Sequence, residues 1–377
     1  MGATMKKHLL RGGVAVVVTT LSSAALATPC DSALSSYESY VSSNLPFNAA
    51  QIVSNHPECF AGSPSRSLIS FSTTSLLVFY KSLTILAMRR MFALRSSNAP
   101  FMSGDSGQTG MAAGGSDGRW NFWSNLTRND TSQTYLAANG FRAKNEADVT
   151  TVVLGGDYAL SKDLTFGVSA AYDDGAGGGS NRSPGSTPNG IQTDGYLISP
   201  YLGWQFGKHW SLDASAGFGR GRLETTTNTD SKASRWFAGG SLNYERWVGN
   251  WQFGGQASLL HAVEDNGDMR NSATGAKFVG TDARNTLDQL RLGVQAGYWL
   301  NGMMPYASLA YVSDVGRKTT QFGVSGNPIG RDAWVAGIGV NFFSVKDGVT
   351  GGIGYNQEFG RNNQNNYSLT ANLNVRF

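Results

Sequence analysis

Tyr367-Ser368-Leu369-Thr370-Ala371-Asn372-Leu373-Asn374-Val375-Arg376-Phe377 are the last eleven residues of the sequence. Tyr367, Leu369, Ala371, Leu373, Val375 and Phe377 hold one set of alternate positions, and Ser368, Thr370, Asn372, Asn374 and Arg376 hold the other. Successive side chains of a β-strand point to opposite faces, so this period of two gives a strand with one apolar and one polar face. Soluble chains usually fray at their ends. A strand expected to keep its pattern to the final aromatic residue needs a partner and an apolar surrounding.

The same grammar runs back through the preceding 250 or so residues. Leu164, Phe166, Val168, Ala170 and Tyr172 alternate with Thr165, Gly167, Ser169 and Ala171. Trp210, Leu212, Ala214, Ala216 and Phe218 alternate with Ser211, Asp213, Ser215 and Gly217, and Leu290, Leu292, Val294, Ala296 and Tyr298 with Gln289, Arg291, Gly293, Gln295 and Gly297. Twelve strands are expected, near 119–128, 147–160, 164–173, 193–206, 209–223, 233–248, 251–264, 285–300, 304–313, 331–345, 349–360 and 366–377.

Every second connection is short and polar: Ser161-Lys162-Asp163, Gly207-Lys208, Gly249-Asn250, Asn301-Gly302 and Lys346-Asp347-Gly348. The others are longer, notably 174–192, 265–284 and 314–330. Short turns on one rim and long loops on the other are the pattern of a membrane-spanning barrel. Trp204, Trp210, Trp247, Trp251 and Trp299 cluster beside the short turns, where an aromatic belt at a membrane interface is expected. An open sheet edge cannot persist in hydrocarbon, so the last strand is expected to close on the first. The fold class read here is a twelve-stranded antiparallel transmembrane β-barrel. Asp157, Asp213, Arg235, Glu245, Arg291 and Glu358 fall on its inward, lumen-facing positions.

Composition agrees. Only 15% of residues are charged, against about a quarter in soluble domains. Of the 48 glycines, only Gly2, Gly12, Gly13 and Gly62 precede Gly104, which marks a boundary there. Residues 1–27 read as a secretory signal: Lys6, Lys7, His8 and Arg11, an apolar core from Val14 to Leu21, then Ala25-Leu26-Ala27. Beyond that segment 27 basic residues nearly balance 26 acidic ones, which gives no footprint for nucleic acid.

Cys30 and Cys59 bound the segment 28–66 and are expected to pair in an oxidising compartment. Such a loop would stabilise the fold by roughly 3–4 kcal/mol. Residues 67–103 are apolar and then basic: Phe71, Leu76, Leu77, Phe79, Tyr80, Leu83 and Leu86 recur at helical spacing before Arg89, Arg90 and Arg95. The uncharged run Ser67–Tyr80 is short for a membrane span, which favours a helix packed inside protein and leaves the transmembrane alternative open. Residues 104–118 read as a Gly/Ser-rich linker before the barrel at 119–377.

Gly104-Asp105-Ser106-Gly107 resembles the nucleophile segment of serine hydrolases. A reactive serine needs a histidine base and a folded oxyanion hole, and the chain offers only His8, His56, His209 and His261. No catalytic, cofactor or metal site is expected, and the chain is not read as an enzyme. The remaining alternative from the residues alone is a stand-alone porin-like channel, or an adhesin acting through its long loops.

The helix-then-barrel order over residues 67–377 resembles the autotransporters of type V secretion, and Tyr367, Leu369, Ala371, Leu373, Val375 and Phe377 match the terminal strand that barrel-assembly machinery reads in that class. The resemblance implies an outer-membrane translocator, a helix in its lumen, and a monomeric barrel with lipid, assembly machinery and periplasmic chaperones as partners. It implies a Gram-negative outer membrane, with long loops extracellular and the C-terminus periplasmic. Autotransporter passengers are usually long, so residues 28–66 would be a vestigial or very small one, and a disulfide there would obstruct threading.

Overall fold

The structure, a computed structural model, describes residues 119–136, 142–181, 189–226, 228–278, 282–321, 324–325, 329–344 and 349–376, together with Ser36, Ser39 and Ile52. The expected signal segment, Cys30 and Cys59, the expected helix at 67–103, the expected linker, the turn at Lys346-Asp347-Gly348 and Phe377 all lie outside the described residues.

Twelve long strands make the wall. They are β1 (Trp120–Leu136), β2 (Arg142–Ala159), β3 (Leu164–Asn181), β4 (Asn189–Phe206), β5 (Trp210–Thr225), β6 (Thr229–Val248), β7 (Trp251–Asn266), β9 (Ala283–Tyr298), β10 (Met303–Gln321), β12 (Asp332–Ser344), β13 (Val349–Phe359) and β14 (Gln364–Arg376). Two short strands, β8 (Arg270–Asn271) and β11 (Val324–Ser325), extend β6 and β10 at one rim. Each long strand pairs antiparallel with its neighbours, and β9 joins both β7 and β10. The ring shuts where β1 meets β14, from Asn121 opposite Arg376 to Gln133 opposite Gln364. No sheet edge is left for hydrocarbon to meet, and all twelve strands expected from the alternation are present.

Backbone turn chemistry fixes the short-turn rim. Leu300 and Met303 bridge across Asn301-Gly302, whose φ values are 42° and 93°. Positive φ at both central positions is the twist-matched hairpin turn that Asn-Gly favours. Gly207 and Gly249 supply the same left-handed conformation at the neighbouring short turns.

The opposite rim differs from the expected loops. β3 and β4 consume most of 174–192, because backbone pairing continues past the apolar stretch through Gly175 to Gly179. β10 likewise runs through 314 with a bulge between Ser313 and Gly316. The strands β1 to β7, β9 and β10 are 16–20 residues long, whereas β12 to β14 are 11–13, so the collar is tall on one side and low on the other.

Outward positions carry Leu126, Leu154, Val168, Ile198, Leu242, Val294, Ile338 and Leu369, all exposed, and inward positions are mostly buried. Aromatic residues bound this band at both heights. Tyr196 and Trp204, Trp236 and Tyr244, and Trp334 and Phe342 are each separated by eight positions on one strand. Eight positions are about 26 Å of strand, or about 20 Å along the normal at the tilt of a membrane barrel, close to the height of its apolar band.

Glycines let large inward side chains lie flat against the wall. A Cβ on Gly217 would sit 2.3 Å from the Phe237 ring, and one on Gly167 2.3 Å from Tyr201. At Gly219 the obstacle is backbone, the Tyr196 carbonyl oxygen at 1.8 Å. Gly219→Ala is therefore expected to destabilise the refolded barrel by about 1–3 kcal/mol. Gly255→Ala, where a Cβ meets nothing within 4 Å, should leave it unchanged, with both variants measured by urea unfolding of the refolded barrel.

Candidate functional site

The lumen is where this fold gathers its chemistry. Asp157, Asp213, Arg235, Glu245 and Glu358 are buried on inward positions, and Arg291 shares that side of β9 as a half-buried residue. They do not form one site. They fall into separate networks stacked along the wall.

Nearest the short turns, Trp247 Nε1 and Gln252 Nε2 donate to Glu245 Oε1 at 2.6 and 2.7 Å. Asp213 accepts from Asn243 Nδ2 at 2.7 Å. On the β1–β4 wall, Trp123 Nε1 donates to the Tyr201 hydroxyl at 2.7 Å, and that hydroxyl donates to Asp157 Oδ2 at 2.8 Å. Asn121 Nδ2 donates to the same oxygen at 3.0 Å.

Higher on the wall, Arg235 is held between two acids. Its Nε donates to Glu264 Oε2 at 2.7 Å, and its Nη1 to Asp173 Oδ1 at 2.8 Å. Arg235 is on β6 and Asp173 on β3, so the side chain must cross β5 and β4. It does so over Gly221 and Gly195, where a Cβ would fall 2.6 and 2.2 Å from the guanidinium. Asn266 Nδ2 completes the Glu264 shell at 2.9 Å.

A second ionic knot lies under the low part of the collar. Arg361, from the turn between β13 and β14, reaches inward to Asp314 at 2.6 Å and Glu358 at 2.7 Å. Gln289 and Arg317 also donate to Asp314. Arg291 is placed on the same side, and its Nη1 has no hydrogen-bond partner among the described residues.

The lumenal wall is not uniformly polar, contrary to the expectation of water-loving residues inward. Trp123, Val153, Ala171, Leu197, Tyr201, Phe237, Leu260 and Ala262 form a buried apolar cluster on it. The alternation already shows Val153 and Leu197 opposite outward Leu154 and Ile198, so both faces are apolar there.

Two of the five expected belt tryptophans belong elsewhere. Trp204, Trp210 and Trp251 are exposed on the outer face. Trp247 shares the inward parity of Glu245 and donates to it, and Trp299 packs on the inward Phe343 with ring centroids 5.2 Å apart. Their places in the outer band are taken by Trp120 against Tyr158, Tyr244 against Trp210, and Tyr298 against Trp251. Proximity to a turn did not distinguish the two faces; residue parity does.

Tyr367, Leu369 and Leu373 are exposed outward on β14, with Ala371 and Val375 on the same parity. Of the histidines, His209 lies in a turn with Nδ1 2.8 Å from the Glu245 carbonyl oxygen. His261 faces outward beside Asp288 Oδ1 at 2.5 Å and the Trp236 ring. No serine is hydrogen-bonded to that pair among the described residues. Those residues also hold no cluster of three or more His, Cys, Asp or Glu placed to bind a metal.

Residues 122–356 match the autotransporter β-domain. This chain belongs to the autotransporter family. Its fold is that of the translocator domain of the autotransporter NalP from Neisseria meningitidis, with a TM-score of 0.54 at 13% identity over 82% of this chain and 99% of that one. The transport unit of the autotransporter AIDA-I from Escherichia coli gives 0.52 at 15% identity, covering 77% and 98%. Among curated proteins none matches this chain. The autotransporter barrel places the protein in the outer membrane of a Gram-negative bacterium.

Removing one partner of a buried ion pair leaves a desolvated charge behind. Arg235→Ala strands Asp173 and Glu264 together and is expected to cost about 3–5 kcal/mol in urea unfolding. Adding Asp173→Asn and Glu264→Gln to Arg235→Met should recover most of that loss.

Proposed function

We propose that the chain is a translocator barrel that exports or anchors its own short N-terminal segment, residues 28–66, with residues 67–95 held in the lumen. The observation that carries this reading is the mixed lumenal wall. An apolar cluster around Trp123, Leu197 and Phe237, flanked by buried carboxylates, complements a segment whose apolar residues Phe71 to Leu86 precede Arg89, Arg90 and Arg95. A channel built only for water would gain nothing from burying those side chains inward. The barrel's work in this reading is mechanical, so no catalytic residue is assigned.

The long-loop rim and its collar face the cell exterior, and the C-terminus faces the periplasm. β14, with Tyr367, Leu369, Ala371, Leu373 and Val375 in register against β1, serves as the strand that assembly machinery reads before the ring shuts. Cys30 and Cys59 set the condition on export: a closed disulfide loop is bulky, so the segment crosses with its cysteines reduced.

Protease treatment of intact cells tests the reading. With an epitope inserted in 28–66 and another in 272–276, external protease is expected to remove both. Cutting at 272–276 with protection of 28–66 would overturn export and favour a stand-alone channel or adhesin.

A further inference from the structure

We propose that the outer face of β5 and β6, one step above the aromatic edge of the membrane band, binds the phosphate groups of an anionic, multiply acylated glycolipid in the surrounding leaflet. The proposal rests on the outer-membrane reading, with the collar facing outward.

Arg220 and Arg222 both lie on outward, exposed positions of β5, and Lys232 on an outward, exposed position of β6. Arg222 stands directly opposite Lys232 in the register, and Arg220 is paired with Ser234, which puts it diagonal to Lys232. Opposed side chains on adjacent strands lie about 5 Å apart and diagonal ones about 7–8 Å, and like charges placed so repel. Arg222 is partly satisfied by Glu224 at 2.8 Å and Asp230 at 3.7 Å. Asp194 is its register partner on β4. The side chains of Arg220 and Lys232 have no ion pair or hydrogen bond among the described residues. Neither Arg220, diagonal to Asp194, nor Lys232, diagonal to Asp265, reaches an ion pair among the described residues, and two such cations beside a third suit a compact anion with several acceptor oxygens, the geometry a phosphate monoester supplies.

Height selects the lipid. Phe218 and Trp236, opposed to each other one outward position below Arg220 and Ser234, are exposed on the outer face at the upper aromatic edge of the apolar band. Cations one position above that edge sit at headgroup depth, where each contributes about 1 kcal/mol towards an anionic surface. Phe218, 65% exposed, offers an acyl chain an aromatic surface under the same phosphate. The exposed Ser234 hydroxyl adds a donor or acceptor for a sugar oxygen.

The experiment uses the full chain, purified in detergent. Binding is read by native mass spectrometry with bis-phosphorylated lipid A, its dephosphorylated form, phosphatidylglycerol, and inorganic phosphate as competitor. Lipid A is expected to bind about tenfold or more tightly over the dephosphorylated form and over phosphatidylglycerol. Arg220→Gln with Lys232→Gln should remove about ten- to thirtyfold of that affinity, while Arg220→Lys with Lys232→Arg retains it. Lys162→Gln with Lys208→Gln, on the opposite rim, should change nothing. Retention of the folded, heat-modifiable band in each variant separates loss of the site from loss of the barrel. Equal binding of the phosphate-free lipid, equal binding of phosphatidylglycerol, full displacement by millimolar phosphate, or no effect of the double Gln variant would each overturn the assignment.

Discussion

In hydrocarbon a backbone N–H or C=O without a partner costs several kcal/mol, and this one constraint organises the molecule. It forces the sheet to close, and closure sets β14 against β1 over the whole stretch from Asn121 to Gln133. Closure then fixes which residue faces which way, since a slip of one position exchanges the two faces. A slip of β6 would turn Arg235 outward, leave Asp173 and Glu264 without their partner, and turn Leu242 inward. Register, ring closure and the ionic interior are thus three expressions of one requirement.

The ionic interior has its own logic. Asp173, Arg235 and Glu264 come from three strands, and Asp314, Glu358 and Arg361 from two strands and a turn. Buried ion pairs add little net stability, but they are strongly selective for one arrangement, because any other leaves a charge stranded. Hydrophobic contacts on the outer face cannot do this, since lipid accepts any apolar residue equally well. The wall's specificity therefore sits on its inner surface.

Much of this was legible from alternation. The period of two placed every long strand and, among the described residues, the short turns at 161–163, 207–208, 249–250 and 301–302, while the exclusion of open edges from hydrocarbon placed the pairing of last strand with first. It also put Asp157, Asp213, Arg235, Glu245, Arg291 and Glu358 on the inner side. It missed Asp173, Glu264 and Asp314, because they lie where the apolar pattern stops and backbone pairing goes on, and Arg361, because it lies in the turn between β13 and β14. A strand that leaves the membrane keeps its hydrogen bonds but loses the signal that marks it. Trp247 and Trp299 were misplaced for a different reason: tryptophan beside a turn says which end of the strand it occupies, and only counting from Glu245 or from Leu292 says which face.

The glycine floors beneath Tyr201, Phe237 and Arg235 have a consequence for the size of the hole. In a cylinder the number of staves sets the outer diameter, but the posture of the lining sets the clear bore. Upright rings would project towards the axis and stop it. Laid along the wall, the same rings act as a thin veneer, so a modest number of strands can surround an object as thick as a coiled segment of chain. Composition that looks like softness in the sequence is, in cross-section, clearance.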